Sequence, residues 1–347
     1  IISTTGMGDT LWGTPAIRAV KKEFPKAEID LLVQPQWKPL FHNNKNIRRL
    51  ISYYPQWYFQ IKSLSKIITT RYDHVLIFHA NKDIRRILPF LRSKSILSHQ
   101  STHGHLPIWN QFFPRKLLGG FKNKIIKFEK PVHGILRRLA LIEKLQIPTD
   151  GTHMEIFFSE EDNIRTHEFL RSNGLNRKNY IYMNVGGSFD YKQWPIDKFI
   201  SLSKIVLENT SLFIILGGGP EDINRAKLIK KDLSTERIIL ATQLELKINC
   251  GLIKQSKILI SPDSGPMHIG FALKVPTVAM FWLINTNKVT RNEFNGPDYC
   301  GPLNIKSELY SIISGSFIDI KQAKELGNLY SNSITVEIVW DKVKQHL

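Results

Sequence analysis

The stretch Ile258–Phe281, ILISPDSGPMHIGFALKVPTVAMF, decides the fold. Ile258–Ile260 is a short apolar run that ends in Ser261-Pro262-Asp263-Ser264-Gly265. Pro266–Leu273 then reads as a helix, with proline where a first helical turn tolerates it, and Val275–Phe281 is apolar again. A strand, a loop, a helix and a second strand in this order make a βαβ unit, which predicts a parallel sheet.

The same rhythm extends in both directions. Tyr180–Val185 reads as a strand ending in Gly186-Gly187-Ser188, and Ile196–Glu208 as a helix. Leu212–Leu216 ends in Gly217-Gly218-Gly219-Pro220 and is followed by a helix over Glu221–Leu233 and a strand over Arg237–Ala241. Toward the N-terminus, Ile1–Thr5 reads as the end of a buried strand, Gly6–Thr10 as a glycine-containing loop, and the segment from Pro15 to Lys22 as a helix stopped by Pro25. Glu28–Gln34 and His74–His79 read as further strands. His133–Leu145 reads as a helix with Leu136, Leu139, Ala140 and Leu145 on one face. Residues 146–178 hold a turn-rich segment and a Ser159-capped helix, and the domain junction is placed there. The expected division is a first domain over residues 1–155, a second over 175–332, and a closing helix in 333–347 with Ile338, Val339 and Val343 on its apolar face.

The 347 residues carry a net charge of +18, distributed unevenly. Residues 1–150 hold 25 Lys/Arg against 9 Asp/Glu, whereas residues 151–347 hold 23 against 21. An excess confined to one half predicts an anionic partner for that half: nucleic acid, an anionic membrane surface or a phosphorylated substrate. Two cysteines without metal-ligand spacing suit a reduced, cytosolic protein. No apolar run reaches the ~18–20 residues of a membrane span, and no secretory leader is read.

Three successive strand-to-helix junctions in the second half carry Gly or Ser, where ligands of open α/β sheets bind. Free N–H groups and the positive dipole end of each helix suit phosphate. At the third junction, Ser264 and Gly265 are placed to hold phosphate, and Asp263 and His268 to bind sugar or phosphate oxygens; a Ser/Asp cap with a core-facing His fits equally well. Lys192, in Asp190-Tyr191-Lys192-Gln193-Trp194-Pro195, suits a leaving diphosphate, or is a solvated surface lysine beside a packing Trp. In the first loop, Gly8-Asp9-Thr10 offers one carboxylate, either a general base or a helix N-cap. The dinucleotide glycine fingerprint and the P-loop are both missing, and no Asp-x-Asp occurs.

Gly8-Asp9-Thr10 with Thr14-Pro15-Ala16-Ile17-Arg18, Lys192-x-Trp194-Pro195 and Asp263-Ser264-Gly265-Pro266-x-His268 resemble, in that order, the motifs of glycosyltransferase family 9. That family comprises the ADP-heptose:lipopolysaccharide heptosyltransferases and their relatives. The resemblance implies an α/β protein with the GT-B fold: two Rossmann-like domains whose parallel sheets face across a cleft. It assigns the acceptor to the basic first domain and the nucleotide sugar to the second, with the last helix packing back toward the first. It further implies an inverting, metal-independent transfer of heptose from ADP-heptose, a substrate and not a cofactor, to a phosphorylated lipopolysaccharide inner-core acceptor.

By the same resemblance Asp9 is the base, flanked by Gly8 and Thr10 in the acceptor loop, and Lys192 stabilises the departing diphosphate. Gly187, Ser188, Gly218, Glu221, Asp263, Ser264, Gly265 and His268 are donor contacts. Trp282-Leu283-Ile284-Asn285 would lie near the donor base or sugar, where it departs from the small-residue loop of the family. A related transferase using another nucleotide sugar and a nucleic-acid-binding α/β protein are the competing readings.

His105–Lys130 interleaves Trp109, Phe112, Phe113, Phe121 and Phe128 with six Lys/Arg, and Tyr53, Tyr54, Trp57, Tyr58 and Phe59 form a second aromatic group. Such mixtures suit anionic lipid head groups and phosphorylated acceptors, or core aromatics under a solvated basic face. Together with the family resemblance they imply a cytoplasmic protein peripheral on the inner face of the bacterial inner membrane, with no nucleic acid as partner.

Overall fold

The computed structural model describes residues 1–54, 65–81, 84, 87–88, 91–99, 122–128, 132–187, 189–285, 296–303, 307–315, 318–327 and 332–347. The described chain divides at Phe157/Phe158 into two compact units. The Ser159-capped helix over Glu160–Ser172 therefore belongs to the second unit.

In the first unit the strands are β1 (Ile2–Ser3), β2 (Asp30–Val33), β3 (Arg49–Ser52), β4 (Arg71–His79), β5 (Arg92–His99) and β6 (Lys122–Ile126). They form one parallel sheet in the order β3-β2-β1-β4-β5-β6. In the second unit β7 (Tyr180–Asn184), β8 (Phe213–Gly217), β9 (Ile238–Leu240), β10 (Ile258–Pro262), β11 (Thr277–Phe281), β12 (Ile284–Asn285), β13 (Tyr310–Ser314) and β14 (Ile318–Asp319) follow. Six of these make a second parallel sheet, β13-β11-β10-β7-β8-β9, and β12 pairs with β14. The central strands β7, β10 and β11 are buried along their whole length, which explains their near-continuous apolar sequence. Their side chains, including Ile181, Met183, Ile258, Ile260, Val278 and Met280, build the second unit's core; Ile2, Leu32, Val75, Ile77 and Ile96 do the same in the first.

In each sheet the winding reverses once, between β1 and β4 and between β10 and β7. A crevice opens at such a reversal because the two crossover connections leave to opposite faces. The Gly6–Thr10 segment follows β1, and the loops after β7 and β10 border the second reversal.

Several expectations change in detail. Gly6–Thr10 is not an open loop: a short helix, Met7–Leu11, starts directly after Gly6, and a second, Thr14–Glu23, follows with Pro15 in its first turn. Leu136 does not share the buried face of its helix, Gly134–Glu143; it is 40% exposed, while Ile135, Arg138, Leu139 and Ile142 face inward. Ile338 is likewise solvent-facing, and Val336, Val339 and Val343 place the last helix, Val336–Lys344, in the second unit's core. Trp282 lies in that core as well, 1% exposed, so its ring is not available to a donor base or sugar. Tyr53 is fully buried. Trp57, Tyr58, Phe59 and most of His105–Lys130 lie outside the described residues.

Candidate functional site

In the second unit, the carboxyl ends of β7, β8 and β10 stand side by side and bring the three glycine- and serine-bearing junctions together. Asp263 follows β10, and its backbone N–H donates to the Met280 carbonyl of β11 at 2.8 Å, which fixes the turn. Its carboxylate is buried and accepts from Lys192 Nζ at 2.7 Å. Lys192 comes from the 3₁₀ turn Asp190–Lys192, held by Tyr191 and by Trp194, whose indole N–H donates to the Ile334 carbonyl at 2.9 Å. Lys192 is therefore not a solvated surface lysine: its side chain is 12% exposed and that of Asp263 7%. Burial draws the Lys192 pKa down, but the adjoining carboxylate outweighs it, and the ammonium is held above the ordinary lysine range. The buried Cys300 thiol lies 3.7 Å from the other Asp263 oxygen and donates to the Gly296 carbonyl at 3.2 Å. Burial pushes that thiol well up, so it stays protonated.

Ser264 stands at the N-cap of the Gly265–Ala272 helix, yet its side chain makes no capping hydrogen bond. Its hydroxyl oxygen instead lies 2.8 Å from the side-chain amide of Asn184, the last residue of β7. The capping alternative for Ser264 is thus set aside. His268 is buried on the same helix, edge-on to Phe271 with ring centroids 6.0 Å apart, which is the core-facing arrangement.

After β7, Gly187 passes so close to the Lys192 carbonyl that a Cβ would lie 2.8 Å from it. After β8, Gly218 has φ +153°, and both Gly186 and Gly218 are crowded by the buried Asp222 carboxylate, which accepts from the Gly219 N–H at 2.8 Å. Burial raises the Asp222 pKa, and the Gly219 bond opposes it. Glu221 in the same turn is solvent-exposed. Ser188 lies outside the described residues.

In the first unit, Asp9 sits in the first turn of the Met7–Leu11 helix with a 25% exposed side chain. Arg138, fully buried, reaches its carbonyl at 3.3 Å and its carboxylate at 3.4 Å. The guanidinium also donates to Gly134 O at 2.8 Å and lies over the Trp12 ring at 5.0 Å. His79, the last residue of β4, places Nδ1 2.7 Å from Thr5 Oγ1 and 3.8 Å from the second Asp9 oxygen. A carboxylate between an imidazole and a guanidinium, partly open to solvent, can accept a proton from a bound hydroxyl. Thr10 is buried and donates to the Gly6 carbonyl at 2.9 Å, a structural role, and Gly8 is buried within the short helix.

Residue patterning missed Asn184, Cys300, His79 and Arg138. Two of them carry a signal: Asn184 and His79 are polar residues that follow buried runs at the ends of β7 and β4, at the edge where ligands bind.

The profile described as "Glycosyltransferase family 9 (heptosyltransferase)" matches residues 109–292, a span that includes Lys192 and Asp263–His268. Lipopolysaccharide heptosyltransferase 3 of Escherichia coli strain K12 is 25% identical over 289 residues, covering 79% of each chain. Lipooligosaccharide heptosyltransferase 2 of Campylobacter jejuni is 26% identical over 281 residues, 80% of this chain and 78% of the relative. Among solved structures, a family 9 glycosyl transferase from Veillonella parvula superposes with a TM-score of 0.79 at 19% identity, covering 99% and 95% of the two chains. The E. coli heptosyltransferase WaaC solved with ADP gives 0.71 at 15% identity, covering 100% and 98%. With two parallel α/β units and these likenesses the fold is GT-B, and the chain is a glycosyltransferase belonging to family 9, the heptosyltransferase family.

Proposed function

We propose that this enzyme transfers heptose from ADP-heptose to a phosphorylated inner-core acceptor in lipopolysaccharide synthesis, with inversion and without a metal ion. The observation that carries the reading is the buried Lys192–Asp263 pair beside the uncapped start of the Gly265–Ala272 helix. A sugar diphosphate leaves as its glycosidic C–O bond breaks, and the charge developing on that oxygen needs a preorganised positive partner. Lys192 supplies a full charge and the helix N-terminus a partial one, which is the work a divalent ion does elsewhere. In this reading Asp263, next to Lys192, holds the sugar, and Glu221 the ribose.

In the first unit, Asp9 removes the proton from the acceptor hydroxyl as its oxygen attacks the anomeric carbon opposite the diphosphate. Arg138 and His79 orient the Asp9 carboxylate. The basic first unit takes the phosphorylated acceptor and an anionic membrane surface, on the cytoplasmic face of the inner membrane. Among the described residues no helix is long and apolar enough to cross a membrane, which suits a peripheral attachment.

The test is transfer to a heptose-deficient inner-core acceptor from ADP-heptose, with ADP-, UDP-, GDP- and CMP-linked hexoses in parallel. Mass spectrometry should show one added heptose, and NMR an anomeric configuration opposite to the donor's. Transfer of a different sugar would replace the donor assignment; a retained configuration would remove Asp9 as an inverting base.

A further inference from the structure

A serine at an N-cap ordinarily accepts from a first-turn backbone N–H. Ser159 does so in this chain, accepting from Asp162 N at 3.0 Å. Ser264 is also extended, at φ −154° and ψ 176° against −79° and 170° for Ser159, and its hydroxyl points elsewhere. Pro266 has no N–H, so the Met267 N–H is the one a side-chain cap would use, and it makes only a 3.2 Å bond to the Ser264 main-chain carbonyl. The hydroxyl lies against Asn184 instead. This residue is 1% exposed, and its amide nitrogen lies 2.8 Å from Ser264 Oγ, 3.2 Å from Ser261 Oγ and 3.1 Å from the Gly186 carbonyl. The pairing of β7 with β10 sets this reach, since Met183 is in register with Ile260 and Asn184 comes next on its strand.

We infer that Asn184 is a positioning residue for the donor diphosphate: by holding Ser264 Oγ out of the cap it leaves the start of the Gly265–Ala272 helix, and the Ser264 hydroxyl proton, to a phosphate. A nitrogen donor at 2.8 Å takes one of the two lone pairs of the serine oxygen and fixes the direction of its hydroxyl. The serine O–H currently reaches the Pro262 carbonyl at 3.2 Å, a long bond that a charged phosphate oxygen outcompetes. Without Asn184, the hydroxyl is free to cap the helix, where its oxygen takes the Met267 N–H and its O–H is re-aimed away from the phosphate. The inference rests on the reading that the donor diphosphate binds at this helix.

The experiment measures ADP binding to the two-unit chain by calorimetry for the wild type, Asn184→Ala, Ser264→Ala and the double variant, with circular dichroism as a check on folding. Ser264→Ala should weaken ADP about tenfold, the effect of one hydrogen bond to a charged group, Asn184→Ala should weaken it at least as much, and the double variant should be no weaker than Ser264→Ala alone. Asn184→Asp keeps the volume but would accept the serine proton, so it should weaken ADP at least as much and remains informative if the alanine variant does not fold. Losses that multiply in the double variant, or an Asn184→Ala protein with wild-type affinity beside a weakened Ser264→Ala, would overturn the positioning role and leave the donor reading standing. If the wild type binds ADP and none of the variants changes that affinity, the donor reading falls with it.

Discussion

Asp263→Asn is the substitution whose consequences the structure specifies most fully. Asp263 and Lys192 have side chains 7% and 12% exposed and meet at 2.7 Å. The replacement keeps the volume and deletes the charge. Lys192 then has two options, and both destabilise. It can stay charged in a site that no longer compensates burial, the situation in which removing one partner of a buried pair costs about 3–5 kcal/mol. Or it can release its proton on folding, which costs free energy at any pH below the lysine's value in the unfolded chain.

For a unit of this size such a loss lowers the unfolding midpoint by roughly 10 °C. The pH dependence separates this from a packing defect. In the wild type the folded Lys192 pKa is raised, so its contribution is fully present below the unfolded lysine value and is lost only as pH rises through the folded one. With Asp263 gone, burial alone acts and lowers that pKa. The variant should therefore gain stability relative to wild type as pH rises from 7 toward 10. The double variant Lys192→Met/Asp263→Asn should recover most of the loss, because it buries no charge. Urea denaturation of the four proteins at pH 7 and pH 9.5 measures all of this. Parallel pH curves for wild type and Asp263→Asn, or additive single losses, would refute the account of a buried, mutually dependent pair.

Asp9→Asn should reduce turnover by about 10²–10⁴-fold, the span of general-base catalysis, with ADP affinity unchanged; near wild-type turnover would remove the base assignment. His99 is buried with Nε2–H donating to the Phe78 carbonyl at 2.7 Å, and burial first, then Arg138, bring its pKa down to about 3. The unfolded chain therefore binds a proton that the native state refuses, and stability falls between about pH 6.5 and pH 3, at up to about 1.4 kcal/mol per pH unit from this one group. In His99→Gln that slope should be smaller by the same amount in acid-titrated denaturation curves. Gly186→Ala should lower stability by about 1–3 kcal/mol, because its Cβ would overlap the buried Asp222 carboxylate; Asp222→Ala in the same chain should relieve part of that strain.

The alternation of strands and helices is legible because a parallel sheet buries both faces, and mostly apolar residues fill positions such as those of β7, β10 and β11. The strands β3, β5 and β6 are harder to read. Arg49–Ser52, Arg92–His99 and Lys122–Ile126 carry charges or serines at several positions, and pairing to a neighbour, not composition, makes them strands. The glycine junctions are legible for the opposite reason: Gly186 and Gly218 answer to a buried carboxylate four to thirty-six residues further on, a steric demand that leaves no other residue type.

The misreadings and the candidate site have a common cause. Patterning treats a charged residue as solvated, so a stripe built from apolar residues alone takes in the exposed Leu136 and leaves out the buried Arg138. Ile135, Arg138, Leu139 and Ile142 follow helical spacing once the arginine is admitted, and the buried face widens further to Arg137 and Leu141. Lys192, Asp263 and Asn184 break the same rule on loops and strand ends. A buried charge or amide costs free energy unless it is paired, so each of these positions comes with a partner: Arg138 with Asp9, Lys192 with Asp263, Asn184 with Ser264. In this chain the failures of hydrophobic periodicity are therefore informative, since they fall on the pairs that flank the two reversals of strand order, where the chemistry is proposed to occur.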